Sequence, residues 1–147
     1  RRIQIASGHA PSPRLIVTRE IYVAPTDEQA WQEAAPFLKH YWQIWQRYSE
    51  LSAQGRMPDS YDHWRRTAPK LHAMSFDELS ENGLVMIGSP ETVARRIIEH
   101  ARQLDLYALA CVFKFGAMPE ETMANSMTLF AQEVMPAVSA ALERTPA

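Results

Sequence analysis

The succession between Leu84 and Pro136 constrains this chain more than any other feature. An apolar run, Leu84-Val85-Met86-Ile87, is followed by Gly88-Ser89-Pro90-Glu91 and an amphipathic stretch to Leu104. A second apolar run, Leu106 to Phe115, leads through Gly116 and Pro119 into a methionine-rich helix that reaches Glu133-Val134-Met135-Pro136. Two strands separated by a helix cannot close a tight hairpin, so these two are expected to be parallel neighbours joined by a crossover. The pattern places the chain among α/β folds, where ligands gather at the carboxyl ends of strands.

Local signals set the boundaries. Leu84 to Ile87 is wholly apolar, as befits a strand covered on both faces. Ser89 stands as an N-cap with Pro90 at the first helical position, and Ala94, Ile97, Ile98, Ala101 and Leu104 form the stripe that follows. Upstream, Leu15 to Val23 is rich in β-branched residues and reads as the first strand. Arg19 and Glu20 fall on opposite faces of it, so at least one end or face must meet solvent or a polar lumen. Thr26-Asp27-Glu28-Gln29 is a capping box opening a helix whose apolar stripe runs from Ala30 and Trp31 through Leu38 and Trp42 to Tyr48. Pro36 should kink or split that helix.

From Ser49 to Asn82 the periodicity dissolves around Gly55, Pro58 and Pro69, and a lid-like insertion or short helices are expected. Ser75-x-x-Glu78 marks one short capped turn there. Met123, Met127, Phe130, Val134 and Val138 should line the last helix, with Pro136 ending or bending it. Residues 1–14 read as a leading loop without an initiating Met, so the chain is taken as a piece of something longer. Three strand–helix units result. A closed (β/α)8 barrel needs eight, in about 250 residues. The expected fold is therefore α/β, either a small open sheet or the C-terminal three strand–helix units of an incomplete TIM barrel.

Composition narrows the partners. The 147 residues suffice for one domain, and a net charge of −2 gives no electrostatic reason to expect nucleic acid or an anionic membrane. No run approaches the roughly 20 apolar residues of a membrane span. The single cysteine, Cys111, lies in an apolar run, which excludes an intrachain disulfide and fits a reducing, cytoplasmic location.

Several residues are candidates for chemistry. Gly88 and Ser89 at a helix N-terminus could hold an anion, or could simply be a capped turn. His63, His72 and the Trp64-Arg65-Arg66 cluster could reach a ligand from the insertion, whereas His40 and His100 read as surface residues. No histidine or cysteine pair has metal-ligand spacing, so no metal is expected. Phe113-Lys114-Phe115-Gly116 lies at the carboxyl end of the last strand, with alternation sending Lys114 to the face opposite both phenylalanines.

Met74 to Leu79 (MSFDEL), Val85 to Val93 (VMIGSPETV), Phe115 to Pro119 (FGAMP) and Phe130 to Pro136, in that order and spacing, resemble the C-terminal end of the luciferase-like flavin monooxygenases. Arg19 to Ala30 (REIYVAPTDEQA) is similar to that family's preceding strand–helix unit. The resemblance implies a (β/α)8 barrel that binds reduced FMN, or a deazaflavin in related branches, and uses O2 to oxygenate a small organic substrate. It implies Phe113, Phe115 and Gly116 at the substrate pocket, Gly88 and Ser89 near a phosphate or the flavin, and catalytic residues in earlier strands outside this chain. A separate flavin reductase and a homo-oligomeric whole protein are the partners it suggests. The family often has Gly-Gly where this chain has Gly116-Ala117, a change that would tighten the turn near the substrate. The alternative is a free-standing α/β binding or scaffold domain.

Overall fold

The computed structural model describes residues 5–8, 15–53 and 62–142, apart from the side chains at 49, 51–53 and 65. The leading loop before Leu15 and the punctuation at Gly55 and Pro58 fall mostly or wholly outside the described residues. Three strands form one parallel sheet: β1 (Ile16–Val23), β2 (Val85–Gly88) and β3 (Ala108–Val112). Helix α1 (Asp27–Ala53) follows β1, and α2 (Asp62–His72) and α3 (Phe76–Glu81) lead to β2. Helix α4 (Pro90–Leu104) connects β2 to β3, and α5 (Glu120–Leu129) and α6 (Met135–Leu142) close the chain.

The strand order is β2-β1-β3, which corrects the expectation that the strands flanking α4 are neighbours. β1 lies between them, paired with β2 over Glu20–Val23 and with β3 over Ile16–Glu20. Parallel pairing requires a crossover but does not dictate which edge the returning strand joins. Here α4 carries the chain across β1 to its far edge. β1 is thus the central strand, and the sheet is staggered along it.

Alternation along β1 divides the core in two. Tyr22 faces α1 and α3 with Val85 and Ile87, against Ala30, Ala34, Leu38 and Leu79. Ile21 and Val23 face α4 and the C-terminal helices with Met86, against Val93, Ala94, Ile97 and Val134. Full burial of each of the larger aliphatic side chains contributes about 1.5–3 kcal/mol. All of β2 is buried, as its apolar run requires, whereas Ala110 on β3 is exposed.

The caps behave as their spacing dictates. Ser75 and Glu78 form a reciprocal capping box, with bonds of 3.2 Å to the Glu78 N–H and 2.7 Å back to the Ser75 N–H. The Ser89 hydroxyl accepts from the Thr92 N–H at 3.3 Å. The Thr26 hydroxyl accepts from the Gln29 N–H at 3.1 Å, but the Gln29 amide turns to Glu33. Pro36 does not split α1, and Pro69 sits within α2 instead of interrupting it. Nor does Pro136 end the last helix. A π-helical turn over Phe130–Val134 precedes it, and the chain continues to Leu142. Such a turn is a recognised way for a helix to absorb a local change of phase. That phase leaves Met127 43 % exposed, outside the stripe expected for it, while Val134 is fully buried. Among the described residues, no helix is long and apolar enough to cross a membrane.

Candidate functional site

At the carboxyl end of β1 the chain opens a groove of about 580 Å³ between α1 and α5. N–H groups along a parallel strand point alternately to its two neighbours. The Ala24 N–H reaches the Gly88 carbonyl at 3.2 Å on the β2 side, so the Val23 N–H faces the β3 side. Pairing with β3 has already ended there, and the Ser126 hydroxyl of α5 accepts the bond instead, at 2.8 Å. Ser126 is buried, and this bond ties α5 to the strand end.

One wall carries a second network. The Tyr22 hydroxyl donates to Glu33 Oε2 at 2.7 Å and the Gln29 amide to Glu33 Oε1 at 2.8 Å, so both carboxylate oxygens are engaged. Burial, with the adjacent Glu33 carboxylate, pushes the Tyr22 hydroxyl well above its ordinary pKa and keeps it a neutral donor. Asn125, Gln132, Thr122 and Thr128 add to the polar lining, and among the described residues no lysine, arginine or histidine lines the groove. Its chemistry suits a neutral ligand with hydrogen-bonding edges.

Gly88 and Ser89 lie close by, but their free groups already have a partner. Asp27 Oδ1 accepts from the Ser89 N–H at 2.6 Å, and Asp27 Oδ2 from the Thr92 hydroxyl at 3.0 Å. The first residue of α1 thus supplies an anion to the N-terminus of α4. The Ser89 N–H, first among several causes, holds the Asp27 carboxyl below its ordinary pKa. A Cβ at Gly88 would lie 2.6 Å from Asp27 Oδ1, so the glycine is what lets the carboxylate in.

Phe113, Phe115 and Gly116 stand behind the groove. Because β3 ends at Val112, strand alternation does not extend to them, and the two phenylalanines take opposite faces, contrary to expectation. Phe115 is buried against α1, its ring 6.4 Å from that of Tyr41. Phe113 packs edge-on to Phe130 at 5.0 Å on the other face. Gly116 has φ +60°, and a Cβ there would lie 2.7 Å from the Phe37 carbonyl oxygen. The turn therefore presses on the helix residue that lines the groove. Lys114 is exposed, 3.6 Å from Glu120.

Of the remaining candidates, His40, His63 and Arg66 are exposed, and the Arg65 side chain lies outside the described residues. His100 is half-buried, contrary to its reading as a surface residue, with its Nε2 3.0 Å from Arg19 Nη2. Burial and that guanidinium hold it below the usual histidine pKa. Burial pushes the Cys111 thiol up, consistent with a packing role. Among the described residues no cluster of three or more His, Cys, Asp or Glu could hold a metal. Sequence reasoning missed Tyr22, Glu33, Asp27 and Ser126. Only Gln29 and Glu33, at helical i, i+4 spacing, carried a local signal.

Comparison with known proteins supplies a family. No curated protein matches the chain by sequence. Among solved structures it resembles the monooxygenase RslO1 from Streptomyces bottropensis, with 19 % identity and a TM-score of 0.59 over 92 % of this chain and 35 % of that one. It also resembles the oxygenating constituent of 3,6-diketocamphane monooxygenase from the CAM plasmid of Pseudomonas putida, a type II Baeyer-Villiger monooxygenase in complex with FMN. There the identity is 21 % and the TM-score 0.57, over 93 % of this chain and 37 % of that one. At such identities the likeness is one of fold, and the chain spans little more than a third of either structure. The sequence model of the luciferase-like monooxygenases matches residues 2–106, from ahead of β1 through the whole of α4. That match includes the Asp27–Ser89 junction at the groove's edge, and by it this chain belongs to the luciferase-like monooxygenase family.

Proposed function

We propose that this chain forms part of a flavin-dependent monooxygenase, built on a larger (β/α)8 barrel, that acts on a small organic substrate. The observation that carries the reading is the family match over residues 2–106. The FMN in one structurally similar monooxygenase supports the choice of cofactor. The groove at the carboxyl end of β1 also lies where parallel α/β proteins bind their ligands. Catalytic residues are expected on segments beyond this chain.

The groove fits one part of a flavin and not another. Gln29, Asn125 and Gln132 offer amide donors and acceptors of the kind that recognise the neutral edge of the flavin ring. A phosphate finds no cation among the described residues of this lining, and the nearby N-terminus of α4 is held by Asp27. In this reading Gly88 and Ser89 act near the cofactor by fixing Asp27 and the start of α1. Gly116 shapes the substrate mouth through Phe37, Phe115 supports it from beneath, and Phe113 does so through Phe130. The flavin supplies the redox chemistry and the activation of O2. These residues orient it and keep water out. A separate reductase would deliver the reduced cofactor, and the whole protein would be a homo-oligomer.

Anaerobic titration of the intact protein with reduced FMN, and in parallel with a reduced deazaflavin, tests the reading. Binding of one of them, followed by substrate-dependent O2 uptake, is the expected result. Failure to bind either flavin would overturn it.

A further inference from the structure

Arg19 ties three elements together beside the amino-terminal half of β1. Its half-buried side chain donates from Nε to the Gly83 carbonyl, in the turn ahead of β2, and from Nη1 to the Thr18 carbonyl at 2.7 Å. Its Nη2 lies 3.0 Å from Nε2 of His100, on the last turns of α4. A guanidinium offers only donors and keeps its charge at every accessible pH. His100 Nε2 must therefore be the acceptor, which makes the ring neutral with its proton on Nδ1. Gly83 completes the cluster. A Cβ there would lie 2.9 Å from His100 Nδ1, so the ring packs directly against the turn.

We propose that His100 is an acid-sensitive latch, whose neutral ring holds the end of α4 and the Gly83 turn to β1 through Arg19 and whose protonation opens that contact. An imidazolium has no acceptor to offer, and it would set a second cation against the guanidinium. The surroundings supply little to offset that repulsion. On α4 itself Glu99 pairs with Arg95, and Arg96 reaches Ser80. β2 and α6 carry no titratable side chain, β3 brings Cys111, and Glu133 of the π-helical turn lies with Arg95, Glu99 and Arg102. Glu81, exposed ahead of the turn, acts on Arg96. Glu20 bonds Tyr41 and lines, with Arg19, an aromatic cavity walled by Trp42, Trp45 and Trp64. Burial and the Arg19 charge already favour the neutral ring. The latch is thus closed at neutral pH. Its stabilisation is fully present above the ordinary histidine pKa and is lost as pH falls through the lowered folded value. Neither Arg19, Gly83 nor His100 lines the carboxyl-end groove, so the inference stands apart from the oxygenase reading.

The test follows the histidine rings of the intact, isotope-labelled protein by NMR across a pH series. His100 is expected as the Nδ1–H tautomer at neutral pH, with a midpoint below the ordinary value of about 6.5. As pH falls through that midpoint, hydrogen exchange at Gly83, Leu84 and the residues from His100 to Leu104, corrected for intrinsic rates, should quicken severalfold. His100→Gln sets an acceptor that does not titrate opposite Arg19 and should abolish this acid response. If that variant fails to fold, Arg19→Gln removes the facing cation and should raise the His100 midpoint. A proton on Nε2 at neutral pH, a midpoint at or above the ordinary value, or exchange that ignores the midpoint would overturn the proposal. So would an acid response that survives His100→Gln, or a midpoint unmoved by Arg19→Gln.

Discussion

The two ends of β1, a few residues apart, treat polar groups in opposite ways. At the carboxyl end Tyr22, Gln29 and Glu33 satisfy one another, and the Val23 N–H is taken by Ser126. In the amino-terminal half Arg19 and Glu20 are half-buried side by side, and both line an aromatic cavity. Two nearby carboxylates show the consequence. Backbone and hydroxyl donors at the start of α4 hold Asp27 below its ordinary pKa, whereas burial pushes Glu20 above its own. Environment, not residue type, decides the direction of each shift. One end is a finished network suited to a neutral ligand. The other sets Arg19 and Glu20, adjacent and half-buried, against an aromatic wall.

The largest test of this division is Phe115→Ala. Phe115 is 1 % exposed, so the change should cost about 3–5 kcal/mol in urea unfolding. A loss below about 1 kcal/mol would show that Phe115 is not core and would return it to the substrate mouth. Gly116→Ala should cost about 1–3 kcal/mol, because φ +60° and the Phe37 carbonyl both oppose a Cβ. An unchanged unfolding midpoint would mean that the turn does not press on α1. Ser126→Ala leaves the Val23 N–H unsatisfied in a buried setting and should cost about 1–2 kcal/mol by the same measurement.

The smallest effects lie in the pH dependence of thermal unfolding. The Asp27 contribution is fully present above the ordinary carboxylate pKa and is lost as pH falls through its lowered folded value. Asp27→Asn should therefore flatten the acid side of the profile. Glu20 has the opposite sign. The folded state holds its proton more tightly, so stability falls as pH rises through the raised folded value. Glu20→Gln should stabilise the protein at neutral pH and change little in acid. Two variants with the same pH signature would erase the distinction between the ends of β1.

The legible parts of this molecule were those built from near neighbours. The Ser75–Glu78 box, the Ser89 cap, Pro90 at the helix start and the buried run of β2 each depend on residues within four positions of one another. Strand order was not legible, because placing β3 beside β1 or beside β2 buries much the same apolar runs. Alternation gives Phe113 and Phe115 a shared face only if the strand continues past Val112, and it stops there. The bonds that build the candidate site span long separations. Asp27 to Ser89 bridges 62 positions and Val23 to Ser126 bridges 103.

By itself the sequence determined the kind of elements, most of their caps and the family, since hydrophobic period, capping chemistry and motif order are written along the chain. The tertiary structure alone decided that β1 is central, that an aspartate occupies the helix terminus read as an anion site, and that Glu20 faces the tryptophan-lined cavity. Those outcomes depend on which distant surfaces pack together, and packing is a property of the assembled layers that no local stretch of sequence encodes.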